Sequence, residues 1–246
     1  MSFSSDELRN DYNELLEELR EIILNLKDYS ADIHKKEEYE GILKELFDNF
    51  KRPTTYHHPF EIKEMVRIVN YPYQKTPLSI RGSEISNGRY HVIDGGPLCF
   101  YLSSSEETSL LETRVKQNEM ILNKVMKSPK SIFFFNGILN NVLDMRLEED
   151  CIKKGLSYEL IFEDWQFLNT IYSLNSYTQR LAKRAFDYGY EGLLYPSTKN
   201  KLGYNLVVFI ENLRVDSFIS VIGDEVTLKD IDEKSRKISG YLPNIT

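Results

Sequence analysis

Cysteine and histidine are scarce in this chain, and their scarcity removes several kinds of protein. Two cysteines among 246 residues, Cys99 and Cys151, cannot build a disulfide framework. Cys99 also lies inside an apolar run, so a reduced, cytoplasmic protein is expected. With His34, His57, His58 and His91 the cysteines show no metal-ligand spacing, and no metal is expected. Tyr56-His57-His58-Pro59 looks ligand-like, but adjacent histidines point in different directions, and ordinary loop packing is expected there. No apolar run approaches the length of a membrane span, and no basic-then-apolar segment opens the sequence, so no membrane association is expected. A basic excess is missing as well: the formal charge is −7, which argues against direct nucleic-acid binding. The glycines at 88, 95 and 96 form neither a Walker loop nor a dinucleotide fingerprint. No serine sits in a Gly-x-Ser-x-Gly elbow, which argues against serine-hydrolase chemistry.

What is present can bury a sizeable core, with 41% hydrophobic and 12% aromatic residues. The negative charge is concentrated at one end. Residues 1–50 carry 6 Lys+Arg against 14 Asp+Glu, a net of −8, whereas the remaining 196 residues carry 25 against 24, a net of +1. The acidic part has its own pattern. Leu8, Tyr12, Leu15, Leu19, Ile22, Leu26, Tyr29 and Ile33 alternate at spacings of four and three, a heptad seam behind a Ser4–Glu7 capping pair. Tyr39, Ile42, Leu43, Leu46, Phe47 and Phe50 form a second apolar face, so a helical hairpin over residues 1–52 is expected. Its charge opposes parallel pairing of two copies, which favours packing on the body or on a different protein. The polar, proline-flanked segment from Arg52 to His58 marks a boundary, with the second domain at 58–246.

In the body, Met65–Val69, Leu98–Leu102, Ser131–Phe135, Gly192–Ser197 and Asn205–Ile210 read as strands, the last two as a hairpin. Ser103–Glu106 and Ser104–Glu107 fit capping-box spacing before a helix that carries Glu112 and runs to about Met126. Asn175–Tyr188 reads as a helix ending near Gly189, 140–168 as helices and loops, and the tail after Asp224 as a short helix. Strands in hairpin-like pairs imply an α+β fold: a mixed β-sheet core with flanking helices, preceded by the helical hairpin.

The stretch Asn87–Arg114 strings together a turn with Arg89, a strand with Tyr101, and a helix with Glu112. Arg89 between Gly88 and Tyr90 could present a guanidinium to phosphate or carboxylate oxygens, or be a surface arginine in a turn. Tyr101 could stack on a planar ring or fill the core. Glu112 could face a cleft or solvent, and Ser197 could be a turn hydroxyl only. Jointly they suit a polar cleft for an anionic, ring-containing ligand.

The combination goes further. Gly88-Arg89-Tyr90, Tyr101-Leu102-Ser103-Ser104-Ser105, Leu111-Glu112, Gly192-Leu193-Leu194-Tyr195-Pro196-Ser197 and Asn205-Leu206-Val207-Val208-Phe209 together resemble the RES domain over roughly residues 60–215. That family is named for an arginine, a glutamate and a serine, which fall here on Arg89, Glu112 and Ser197. Tyr101 falls on its active-site tyrosine, and Arg67 on a second arginine near the domain start. The sequence departs from the family pattern at Asn87-Gly88-Arg89-Tyr90, where Gly-Gly-Arg-Trp is usual, and in a longer gap from Arg89 to Tyr101. The stretch from about Ser128 to Asn175 is also longer than in compact members.

The resemblance implies an ADP-ribosyltransferase-like fold and an NAD-degrading toxin of a bacterial toxin–antitoxin pair. Such an enzyme would cut the nicotinamide–ribose bond by hydrolysis or phosphorolysis, with NAD as substrate, no other cofactor, and an antitoxin as partner. By the same resemblance Glu112 would stabilise the developing ribosyl cation and Arg89 would hold the pyrophosphate, with Arg67 as a further ligand-binding residue. Tyr101 would stack on nicotinamide, and Ser197 would bond the ribose or the incoming phosphate. Two other activities remain open: ADP-ribosyl transfer to a protein or nucleotide, and a non-catalytic interaction role.

Overall fold

In a computed structural model, residues 13–23, 33–52, 58–70, 73–113 and 130–223 are described. The chain divides into two compact units. One is Met1–Arg52 with Glu148–Tyr177; the other is Pro53–Leu147 with Thr178–Thr246.

In the first unit, residues 13–23 form helix α1 and Ile33–Asp48 form helix α2. The apolar faces expected of both helices are buried: Leu19 and Ile22 on α1; Tyr39, Ile42, Leu43, Leu46 and Phe47 on α2, followed by Phe50. Leu15 of the expected seam is half-buried on α1 and Ile33 opens α2; Leu8, Tyr12, Leu26, Tyr29 and the Ser4–Glu7 cap lie outside the described residues. The segment Glu148–Tyr177 groups with these helices in the same compact unit. Helices α3 (Arg81–Ile85) and α4 (residues 106–113) lie in the second unit, whereas α5 (Glu148–Lys153) and α6 (Trp165–Tyr172) belong to this one. Phe47 stacks on Tyr177 at 5.0 Å, and Lys36 donates to the Tyr172 carbonyl at 3.0 Å. Asp164 caps α6 by accepting from the Phe167 N–H at 3.1 Å.

The second unit is built on a seven-stranded mixed sheet of order β4-β5-β6-β2-β1-β3-β7. The strands are β1 (Phe60–Asn70), β2 (Cys99–Ser103), β3 (Lys130–Leu139), β4 (Val142–Asp144), β5 (Gly192–Pro196), β6 (Tyr204–Phe209) and β7 (Phe218–Val221). Among the described strands, β4 and β5 pair in parallel and the other neighbours pair antiparallel. The β5–β6 hairpin is present as expected, and β1 and β3 extend well beyond their expected spans. Strand β4 falls where only helices and loops were expected; three residues are too few to show alternation. Helix α7 (Tyr177–Asp187) matches its expected span, and Gly189 follows at φ 80°. The expected C-terminal helix and the continuation of the Glu112 helix past residue 113 lie outside the described residues.

Side chains alternate across the sheet, so each strand feeds two faces. Phe100 and Leu102 of β2 join Met65, Phe135, Leu194, Leu206, Val208 and Ile219 in an apolar cluster on one face. Ile62 and Met65 both point there despite being three residues apart, because a β-bulge lies between them with Glu64 at φ 50°. Cys99, Tyr101 and Ser103 face the other way.

One buried carboxylate ties the sheet's far end together. Glu191 is 0% exposed; its Oε2 accepts from the backbone N–H groups of Asn140 at 2.5 Å and Asn141 at 2.8 Å, and its Oε1 accepts from that of Arg214 at 2.7 Å. It thereby joins the β3–β4 turn to the segment after β6. Glu191→Ala would leave three backbone donors without their acceptor. It is expected to lower the unfolding free energy by about 3 kcal/mol or more in urea titration; an unchanged midpoint would show that water replaces the carboxylate freely.

Candidate active site

Arg89 and Tyr90 occupy the centre of a tight turn, in which Gly88 N–H donates to the His91 carbonyl at 3.0 Å. Buried Gln179 of α7 donates its amide to the Gly88 carbonyl at 2.9 Å, which fixes the turn from below. Gly88 has no alternative there: a Cβ would stand 2.5 Å from the His91 ring and 3.1 Å from the Tyr101 hydroxyl.

That crowding has a purpose at Tyr101. His91 Nε2 lies 2.5 Å from the Ser86 carbonyl and must carry the proton there, so Nδ1 is an acceptor. Tyr101 O–H donates to it at 3.0 Å and accepts from the Tyr90 N–H at 3.3 Å. The phenol is thus pinned by its oxygen. Burial pushes its pKa well above the ordinary value. Burial likewise holds His91 below the usual imidazole range, against the opposing pull of the Ser86 carbonyl.

Glu112 arrives from the other side. Helix α4 (residues 106–113) begins after Ser105, whose hydroxyl accepts from the Thr108 N–H at 3.1 Å. The cap is therefore Ser105, one or two residues later than the capping-box spacing suggested. Ser103 and Ser104 are already committed: Ser103 Oγ donates to Asn205 Oδ1 at 2.8 Å, and Ser104 Oγ accepts from the Tyr204 N–H at 3.0 Å. Thr108 and Glu112, four residues apart, share one side of the helix. Thr108 Oγ1 accepts from Asn200 Nδ2 at 3.0 Å, which ties the helix start to the β5–β6 turn. Gly203 of that turn permits the contact, since a Cβ would lie 2.2 Å from Thr108 Oγ1.

One turn further along the helix, Glu112 Oε1 accepts from Ser197 Oγ at 2.7 Å and from Asn205 Nδ2 at 3.1 Å. Between Glu112 and the Arg89 turn stands Tyr195, its ring 4.3 Å from that of Tyr90. Burial chiefly raises the Tyr195 pKa, Tyr90 and Glu112 add to the rise, and Arg89 opposes it. Both charges therefore lie within electrostatic reach of one hydroxyl.

The structure brings Arg89, Tyr101, Glu112 and Ser197 to the same face of the sheet. Arg67 is not among them. Its neighbour Val66 pairs with Ser103 on the site face, and Arg67 turns to the opposite one, 4.3 Å over the Phe100 ring. There it donates to the carbonyls of Pro77 at 3.0 Å and Ser79 at 2.9 Å, and burial lowers its pKa to about 10. It braces the segment before α3. Three residues to which sequence reasoning gave no role touch the candidate residues or their turn: His91, Tyr195 and Asn205. Asn205 carried a usable signal, a polar residue opening an apolar strand, which must find partners if buried. Among the described residues no cluster suits a metal ion, and no helix is long and apolar enough to cross a membrane.

The fold is thus an α+β domain on a mixed sheet, with a held carboxylate and an arginine sharing one face. The RES domain model matches residues 64–226, more than half of the chain, and the chain belongs to that family. Among solved structures, a chain of the M. tuberculosis MbcT–MbcA toxin–antitoxin complex is similar, with 18% identity and a TM-score of 0.48, over 80% of this chain and 96% of that one. No curated protein matches the chain in sequence.

The His91–Tyr101 pair has a pH signature. The folded imidazole is held below its unfolded value, so the unfolded state binds the extra proton first as pH falls. Stability is full above the ordinary value of 6.5 and is lost as pH drops through the folded pKa. In denaturant titrations between about pH 7.5 and 5, His91→Gln is expected to flatten this loss. An identical slope in both proteins would mean that His91 is not held neutral.

Proposed function

We propose that this protein degrades NAD by cleaving the nicotinamide–ribose bond, and that it acts as the toxin of a toxin–antitoxin pair. Family membership supports the class of reaction. The observation that carries the reading is the carboxylate of Glu112, held through one oxygen on the same face as Arg89 and the ring of Tyr101.

Cleavage of this bond expels nicotinamide with the bonding electron pair, which turns the pyridinium into a neutral ring and leaves positive charge on the ribose. A carboxylate already fixed beside that carbon stabilises the charge without reorganising. Water then adds to give ADP-ribose and a proton, or phosphate adds to give the 1-phosphate. Arg89 supplies a guanidinium for the pyrophosphate oxygens. Tyr101, its hydroxyl spent on His91, offers a ring face rather than a hydrogen bond to the nicotinamide.

Glu112→Gln keeps the size and removes the charge, and is expected to lower NAD cleavage about a hundredfold or more, roughly 3–4 kcal/mol. Arg89→Ala is expected chiefly to raise KM, by about tenfold or more. Near-full activity in folded Glu112→Gln would remove the carboxylate from the mechanism. In cells, expression of the wild-type chain without a partner is expected to deplete NAD and stop growth, and Glu112→Gln to do neither. Normal growth and unchanged NAD with soluble, folded wild-type protein would contradict the toxin role.

A further inference from the structure

We infer that Ser197 is a positioning residue that aims Glu112 and makes no contact with substrate, and that Asn205 and Ser103 complete the same support. In its kinetic part this rests on the NAD-cleaving reading above.

A serine hydroxyl has one proton to give and two lone pairs to fill. At Ser197 all three are used. Oγ donates to Glu112 Oε1 at 2.7 Å and accepts from the backbone N–H groups of Lys199 at 3.1 Å and Asn200 at 3.0 Å. The two accepted bonds leave the proton one direction, toward the carboxylate. The residue is also only 5% exposed. A ribose hydroxyl or a phosphate oxygen would have to displace one of these partners, and the Lys199 and Asn200 donors are part of the turn that clamps helix α4.

Asn205 is held just as firmly. Its Oδ1 accepts from Ser103 Oγ at 2.8 Å, which fixes the amide so that Nδ2 faces Glu112 Oε1 at 3.1 Å. Ser103 and Asn205 are cross-strand partners in the β2–β6 ladder, so the geometry is set by sheet register. Both donors converge on Oε1. One oxygen of Glu112 is thus engaged by two directed donors of the protein.

The test compares Ser197→Ala, Asn205→Ala and the milder Ser103→Ala, each alone and in a Glu112→Ala background. Removal of a positioning contact is expected to lower kcat about 10- to 100-fold for the first two, and less for Ser103→Ala, with KM changed by less than about twofold. With no carboxylate left to aim, the same substitutions should cost less than about a further twofold. A raised KM at unchanged kcat, or losses that multiply in the Glu112→Ala background, would show that Ser197 meets the substrate directly. Crystal structures of the single variants decide the matter independently of any activity. The Glu112 carboxylate is expected to leave its present position, and one that stays put overturns the inference. If the wild-type protein does not cleave NAD, the functional reading fails while this structural comparison still stands.

Discussion

A glutamate on the second turn of a helix has three side-chain torsions and every opportunity to wander into solvent. Holding it still costs rotamer entropy, which only directed hydrogen bonds offset. Here the bonds come from the β5–β6 hairpin: Ser197 from its turn and Asn205 from β6. The helix itself is anchored to the same hairpin through Asn200 and Thr108. Glu112 and the donors that hold it are therefore parts of one assembly. That assembly depends on the pairing of Ser103 with Asn205 across β2 and β6. A one-residue slip would turn Asn205 into the apolar face and leave the carboxylate with half its support.

The opposite wall of the site is fixed by different means. The Arg89 turn is narrow because Gly88 admits the His91 ring, and Gln179 holds it from α7. Burial disfavours a charged His91, and a neutral imidazole with its proton committed to Ser86 can only accept from Tyr101. A fixed dipole chain thus replaces the mobile water that an exposed tyrosine would keep. Preorganisation of this kind is what lets a charge-stabilising site act without paying for rearrangement during the reaction.

Much of this was legible in the sequence. Turn, strand and helix follow one another from Asn87 to Glu112 because glycines, an apolar run and a serine cluster each dictate a local conformation. The order of Arg89, Tyr101 and Glu112 suggested that they could converge, and the family resemblance added Ser197; in the structure Ser197 bonds Glu112 directly. Other features were not legible, for physical reasons. Three consecutive serines offer three possible caps, and only the β2–β6 ladder decides that Ser103 and Ser104 serve the sheet and Ser105 the helix. Arg67 and Val66 differ by one residue, yet alternation sends one to each face, and nothing local says which. The grouping of Glu148–Tyr177 with the N-terminal helices joins segments about a hundred residues apart, and such pairing leaves no mark on local periodicity.

The most direct measurement is to incubate the purified protein with NAD, with and without phosphate, and to follow both small-molecule products and protein mass by mass spectrometry. Cleavage at the Glu112 site predicts free nicotinamide matched by ADP-ribose or its 1-phosphate, with the protein's mass unchanged. Intact NAD, or an ADP-ribose increment carried by the protein in place of free product, would contradict it.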